Sequence, residues 1–123
     1  MKSLLIILTI VIFSSCDENE ALTYGLIGEW KWTYSCISGV AGVMCDYADE
    51  GSTRSIQITK DKIIETFDYT YITTKSYSVT SKTNFEDYTE YQIKFDDETG
   101  CLIKATKNTL EIGYGTAWDG YEK

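Results

Sequence analysis

Between Glu29 and Cys36 the chain reads EWKWTYSC. Trp30, Trp32, Tyr34 and Cys36 stand two residues apart, and in an extended strand side chains at that spacing share one face. Glu29, Lys31, Thr33 and Ser35 take the other. Two tryptophans in one strand are a large apolar load, so the rest of the domain has to wrap around this segment. The stretch continues through Ser38-Gly39-Val40-Ala41-Gly42-Val43, which reads as a flexible bend leading into a long loop.

The 123 residues are enough for one domain and contain no proline. Proline cannot donate to a β-ladder, so an all-β chain can run without it. Ten tyrosines and many threonines favour strands as well. Net charge is −8 with the basic residues scattered, which argues against a nucleic-acid partner. Histidine is absent. Ser-His and Cys-His nucleophile systems and His-ligated metal sites are therefore excluded. No cofactor is called for, no metal site is assigned, and the chain is read as non-catalytic.

The N-terminus carries a second signal. Lys2 is followed by an apolar run from Leu4 to Phe13, long enough for the core of a signal peptide and too short to span a bilayer. Phe13-Ser14-Ser15-Cys16 resembles the bacterial lipobox, with Phe13 where leucine is commoner. The resemblance implies a signal peptide over 1–15, cleavage before Cys16, and an anchor of two or three palmitate-type acyl chains at Cys16. Asp17-Glu18-Asn19-Glu20 resembles the export signal of surface-exposed lipoproteins, and equally fits a solvated tether over 16–24. The expected location is the cell envelope, as an outer-membrane lipoprotein held at the cell surface, with the membrane as its first partner.

With Cys16 lipidated, three cysteines remain, so one internal disulfide and one free thiol are the most the chain can hold. Cys36 and Cys45 flank the glycine bend and are the nearest pair; Cys101 can pair instead with either one. No CxxC spacing occurs, so neither a redox motif nor a zinc knuckle is indicated.

Downstream, short alternating segments are punctuated by turn residues. Strands are expected over 54–59, 63–71, 76–81, 88–95, 102–107 and 110–114, with turns at 60–62 and 96–100 and a hairpin at Asn108. Residues 115–123 read as a loop with at best a short last strand. Strands this short at this spacing indicate an antiparallel barrel or sandwich.

Three pieces in order then resemble a known family. Gly28-Glu29-Trp30 is similar to the glycine-any-tryptophan opening of lipocalin and calycin barrels. The stretch from Trp30 to Val43, and the closing Asn108-Thr109-Leu110-Glu111-Ile112 with Asp119-Gly120-Tyr121, resemble small lipocalin-like lipoproteins of the Bacteroidetes. The resemblance spans 25–123 and implies an up-and-down barrel of about eight strands. Lipocalins often stack a basic side chain from the last strand over the first-strand tryptophan. Here the only arginine is Arg54, in the second expected strand, and the C-terminus offers Lys123.

Such a barrel has an interior just wide enough for packed side chains or one small ligand. Trp30, Trp32, Tyr34, Phe67, Tyr69, Tyr91 and Phe95 are the candidate ligand-lining residues, and a filled aromatic core is the alternative. Tyr114, Trp118 and Tyr121 lie in a glycine-spaced stretch and are candidate exposed contacts for sugar or protein. Glu65 sits among apolar neighbours, where it either titrates abnormally and acts as an acid, or faces solvent or bonds a tyrosine or lysine. The expected activity is binding of a small apolar or amphipathic ligand. An adaptor or inhibitor role toward an envelope protein is the alternative.

Overall fold

The computed structural model describes residues 25–123; the expected signal peptide over 1–15, the expected lipidation at Cys16 and the expected tether over 16–24 lie outside the described residues. Nine strands follow in order: β1 (Gly28–Gly39), β2 (Gly42–Tyr47), β3 (Ser55–Ile58), β4 (Lys62–Phe67), β5 (Tyr71–Asn84), β6 (Thr89–Phe95), β7 (Gly100–Ala105), β8 (Thr109–Tyr114) and β9 (Ala117–Glu122). All pairings are antiparallel, and no helix occurs among the described residues. β1 pairs with β3 along its first half, β3 to β9 pair in succession, and β9 returns to β1. This is a closed up-and-down barrel of eight strands with one extra strand, β2, hairpinned onto the second half of β1.

Alternating strand directions sort the connections to two ends. The β4–β5, β6–β7 and β8–β9 turns and the β1–β2 hairpin lie at one end, called here the mouth. Gly25, where the described chain begins, lies at the other end. There the core is closed. Trp30, Ile56, Ile58, Tyr91, Ile103, Leu110 and Leu26 are fully or almost fully buried, and Trp30 Nε1 donates to the Leu26 carbonyl at 3.0 Å. Tyr77 donates its hydroxyl to the Thr59 carbonyl at 2.6 Å, so its polar tip is satisfied where the ring is buried. Lys123, just beyond β9, places Nζ 4.9 Å from the centroid of the Trp30 ring. A cation–π contact thus covers the first-strand tryptophan from the end of the chain.

Four expectations are corrected. Trp30, Trp32, Tyr34 and Cys36 do not share a face. Trp32 opposes Tyr121 and Tyr34 opposes Gly120, so β1 carries one extra residue, Thr33, against β9. This β-bulge reverses the alternation: Trp30 and Trp32 point inward, Tyr34 and Cys36 outward. The segment after Ile37 is a tight hairpin into β2 rather than a bend and long loop, and only 48–54 are irregular. Tyr71 opens β5 instead of ending the strand before it, and β5 runs to Asn84 through a second extra residue, Thr80. The stretch read as a loop with at best a short last strand is mostly β9, six residues long, which closes the barrel.

Candidate functional site

The inward face changes character toward the mouth. Ile56 opposes Glu65 and Ile58 opposes Ile63, so Glu65 and Phe67 project into the barrel. Ile112 opposes Asp119, and Ser35 opposes Asp119 from the other side, which puts both in the interior beside Trp32. Arg54, immediately before β3, enters the same space.

Arg54 is the hub. Its Nη2 donates to Asp119 Oδ2 at 3.2 Å, and its Nε lies 3.3 Å from Glu65 Oε1. Nη1 reaches Ser35 Oγ at 3.4 Å. Ser35 in turn donates to Asp119 Oδ1 at 2.5 Å and accepts from Trp32 Nε1 at 2.8 Å. The guanidinium lies 5.4 Å from the Trp32 ring centroid and 5.5 Å from that of Phe67. A planar, permanently charged group suits this mixed setting of carboxylates and aromatic faces. Arg54 is half-buried. Burial works against its charge, but Tyr121, Glu65 and Asp119 outweigh that and raise its pKa above the ordinary arginine value.

Around this hub stand Tyr121, buried at 3% exposure, and Tyr114, which ends β8 at the mouth. Burial pushes the Tyr121 phenol well above its usual range. Cys101, the second residue of β7, faces inward; burial pushes its thiol up to about 12, with Lys75 pulling the other way. Lys75 places Nζ 4.9 Å from the Phe95 ring centroid.

Exposed apolar groups rim this end. Ile37, Val40, Val43 and Met44 lie on the β1–β2 hairpin, and Phe67, Tyr69, Tyr71 and Ile72 surround the β4–β5 turn. An open depression of about 390 Å³, lined mainly by Ile37, Met44, Asp46, Ala117 and Asp119, joins the hairpin to the charged network. Tyr69 has φ of 59°, in the left-handed region that bulky residues rarely occupy. A larger cleft of about 720 Å³ lies at the opposite end, between Ile27, Phe85, Tyr88, Lys107 and Lys123. It adjoins the point where the chain enters the barrel.

The candidate ligand-lining residues therefore divide. Trp30, Tyr91 and Phe95 are packed core. Trp32 and Phe67 reach the mouth. Tyr34 is outside the barrel, its hydroxyl donating to Glu111 Oε2 at 3.0 Å, because of the bulge at Thr33. Tyr69 is in the turn after β4 and is 79% exposed. Of the candidate exposed contacts, Tyr114 is half exposed, Trp118 lies partly buried on the outer wall, and Tyr121 is buried inside. Glu65 pairs with Arg54, an arginine rather than the tyrosine or lysine expected for it. The Asp96–Glu98 turn is internally capped: Asp97 accepts from the Thr99 amide and hydroxyl, and Glu98 pairs with Lys94. The disulfide joins Cys36 and Cys45, leaving Cys101 free.

Sequence reasoning missed the hub. Ser35, Arg54 and Asp119 carry no local spacing signal, since 65 residues separate Arg54 from Asp119. The one available hint was Arg54 as the sole arginine in a chain otherwise supplied with lysine. Comparison with protein families, curated proteins and solved structures found no match for this chain.

Proposed function

We propose that this is a lipid-anchored envelope barrel, of the lipocalin-like kind its sequence resembles, that holds a small amphipathic molecule at the mouth. The observation that carries the reading is the charged hub of Arg54, Glu65 and Asp119 inside a rim of exposed apolar side chains. A polar headgroup would meet the hub and an apolar part would lie along Ile37, Met44 and Phe67. The lower barrel is filled, so the ligand is held at the open end rather than swallowed. The anchor at Cys16 would attach through the tether to the closed end, leaving the mouth directed away from the membrane.

The test is native mass spectrometry of the acylated protein extracted from its own cells, wild type beside Arg54→Met. A small-molecule adduct on the wild type that disappears in the variant supports the reading. An adduct retained in the variant, or only the acylated chain in both, removes the mouth as the site. An unmodified Cys16 would overturn the anchor.

A further inference from the structure

The strand β2 ends the sheet. Among the described residues it is hydrogen-bonded to β1 alone, and all six of its residues are exposed. Its free edge can be read residue by residue. The Ala48 amide donates to the Thr33 carbonyl at 2.7 Å, which makes 33 and 48 a hydrogen-bonded pair. Alternation along an antiparallel ladder then makes Asp46, Met44 and Gly42 bonded partners of β1. Val43, Cys45 and Tyr47 are the non-bonded positions, and the 4.0 Å Cα separation of Cys36 and Cys45 agrees with that. The amides and carbonyls of Val43, Cys45 and Tyr47 therefore point away from β1. They have no hydrogen-bond partner among the described residues.

Edge strands are ordinarily blunted by lysine, proline or a bulge, since a bare row of donors and acceptors is a template for another strand. The segment GVMCDY has none of these. Its register is instead pinned by the Cys36–Cys45 bridge, which keeps the edge extended and lowers the cost of ordering it on binding. Asp46 lies on it, Asp49 and Glu50 follow directly, and the whole chain carries −8. That charge opposes pairing of two copies through Asp46 and attracts a cationic strand.

We propose that β2 is a strand-addition site, at which an extended basic segment of a partner polypeptide joins the barrel wall through the backbone groups of Val43, Cys45 and Tyr47. This does not depend on what occupies the mouth.

The experiment uses the folded, oxidised protein and a capped seven-residue peptide alternating lysine and valine. Amide exchange is followed by NMR, with sedimentation velocity in parallel. The peptide should slow exchange at Val43, Cys45 and Tyr47 by tenfold or more, on the order of a tight added ladder, and leave Met44 and Asp46 unchanged. A peptide methylated on alternate backbone nitrogens, which cannot complete the ladder, should give no protection. Val43→Pro removes an outward donor without touching a β1 bond and should weaken binding by about tenfold, one hydrogen bond to a backbone group. Asp46→Asn with Asp49→Asn and Glu50→Gln should weaken it further and flatten its salt dependence. Equal protection by the methylated peptide, or none by the parent peptide, would overturn the proposal. Protection of the same three amides in a peptide-free dimer would assign the edge to a second copy and overturn the partner named here.

Discussion

Tyr34 lies against Gly120 on the outer wall of the barrel, so closely that a Cβ on Gly120 would overlap the phenol ring. The two are opposed across β1 and β9, and the ring continues over β9 to Glu111 on β8. Gly120→Ala should force Tyr34 to swing out and lose that bond, at a cost of about 1–3 kcal/mol. Urea unfolding of Gly120→Ala, Tyr34→Ala and the double variant checks this. The double variant should be clearly more stable than the sum of the singles indicates.

Arg54→Met should destabilise the barrel by about 1–3 kcal/mol, because it leaves Asp119 and Glu65 without their cation. The cost stays below that of a fully buried pair, since the Arg54 and Asp119 side chains keep 18% and 20% of their exposure. Denaturant midpoints of Arg54→Met and Arg54→Lys separate charge from geometry. Lysine keeps the charge but cannot span Glu65, Ser35 and Asp119 together, and should recover only part of the loss.

Tyr69→Gly should leave stability unchanged or raise it by up to about 1 kcal/mol. Glycine accepts the left-handed backbone that tyrosine resists, with the flexibility it adds to the unfolded chain taking back part of the gain. A thermal melt measures the change. If the melt falls, the exposed ring contributes packing at the turn that its 79% exposure does not reveal.

The Tyr77 phenol is pushed up to about 12, mainly by burial and then by Asp61, from 10.0 in the free side chain. The unfolded chain therefore releases this proton first. The contribution is complete below pH 10 and is lost as pH rises toward 12. Unfolding free energies at pH 9, 10, 11 and 12 should fall across that window, and Tyr77→Phe should fall less steeply. Its own penalty at pH 7 should be about 1 kcal/mol, the bond to the Thr59 carbonyl.

Cys101 should resist iodoacetamide at pH 8 in the folded protein and react once it is unfolded without reductant, because burial holds its thiol protonated. Cys36 and Cys45 should stay unlabelled under both conditions. Non-reducing peptide mapping reads all three. Replacing both bridge cysteines by serine should cost about 2–3 kcal/mol and speed amide exchange along β2.

Several elements were legible from local pattern alone. Ile56 and Ile58, Tyr91, Ile93 and Phe95, and Leu110 and Ile112 alternate as strands do, and each set is buried on one face. The Cys36–Cys45 pairing was favoured because the two cysteines flank a glycine turn, but the spacing left Cys101 open as a partner for either, and the structure decided it. The direction of Tyr34 was not legible. A bulge exists only when the partner strand is in place, and nothing near Thr33 announces that β9 will count one residue fewer. β9 itself was hidden because AWDGYE alternates weakly; its glycine is required by Tyr34, which is 86 positions earlier in the chain.

By itself the sequence determined the class of fold: period-two apolar segments, turn residues between them and no proline leave antiparallel strands as the way to bury two tryptophans. It also determined the charge of the surface and the absence of histidine chemistry. Only the tertiary structure decided that the barrel closes, that β2 has a free edge among the described residues, and that Arg54, Glu65, Asp119 and Ser35 converge at one end. The physical reason is separation along the chain. Alternation and turn chemistry act over a few residues and are written there, whereas closure and convergence depend on register between strands up to the whole length of the domain apart, which packing selects.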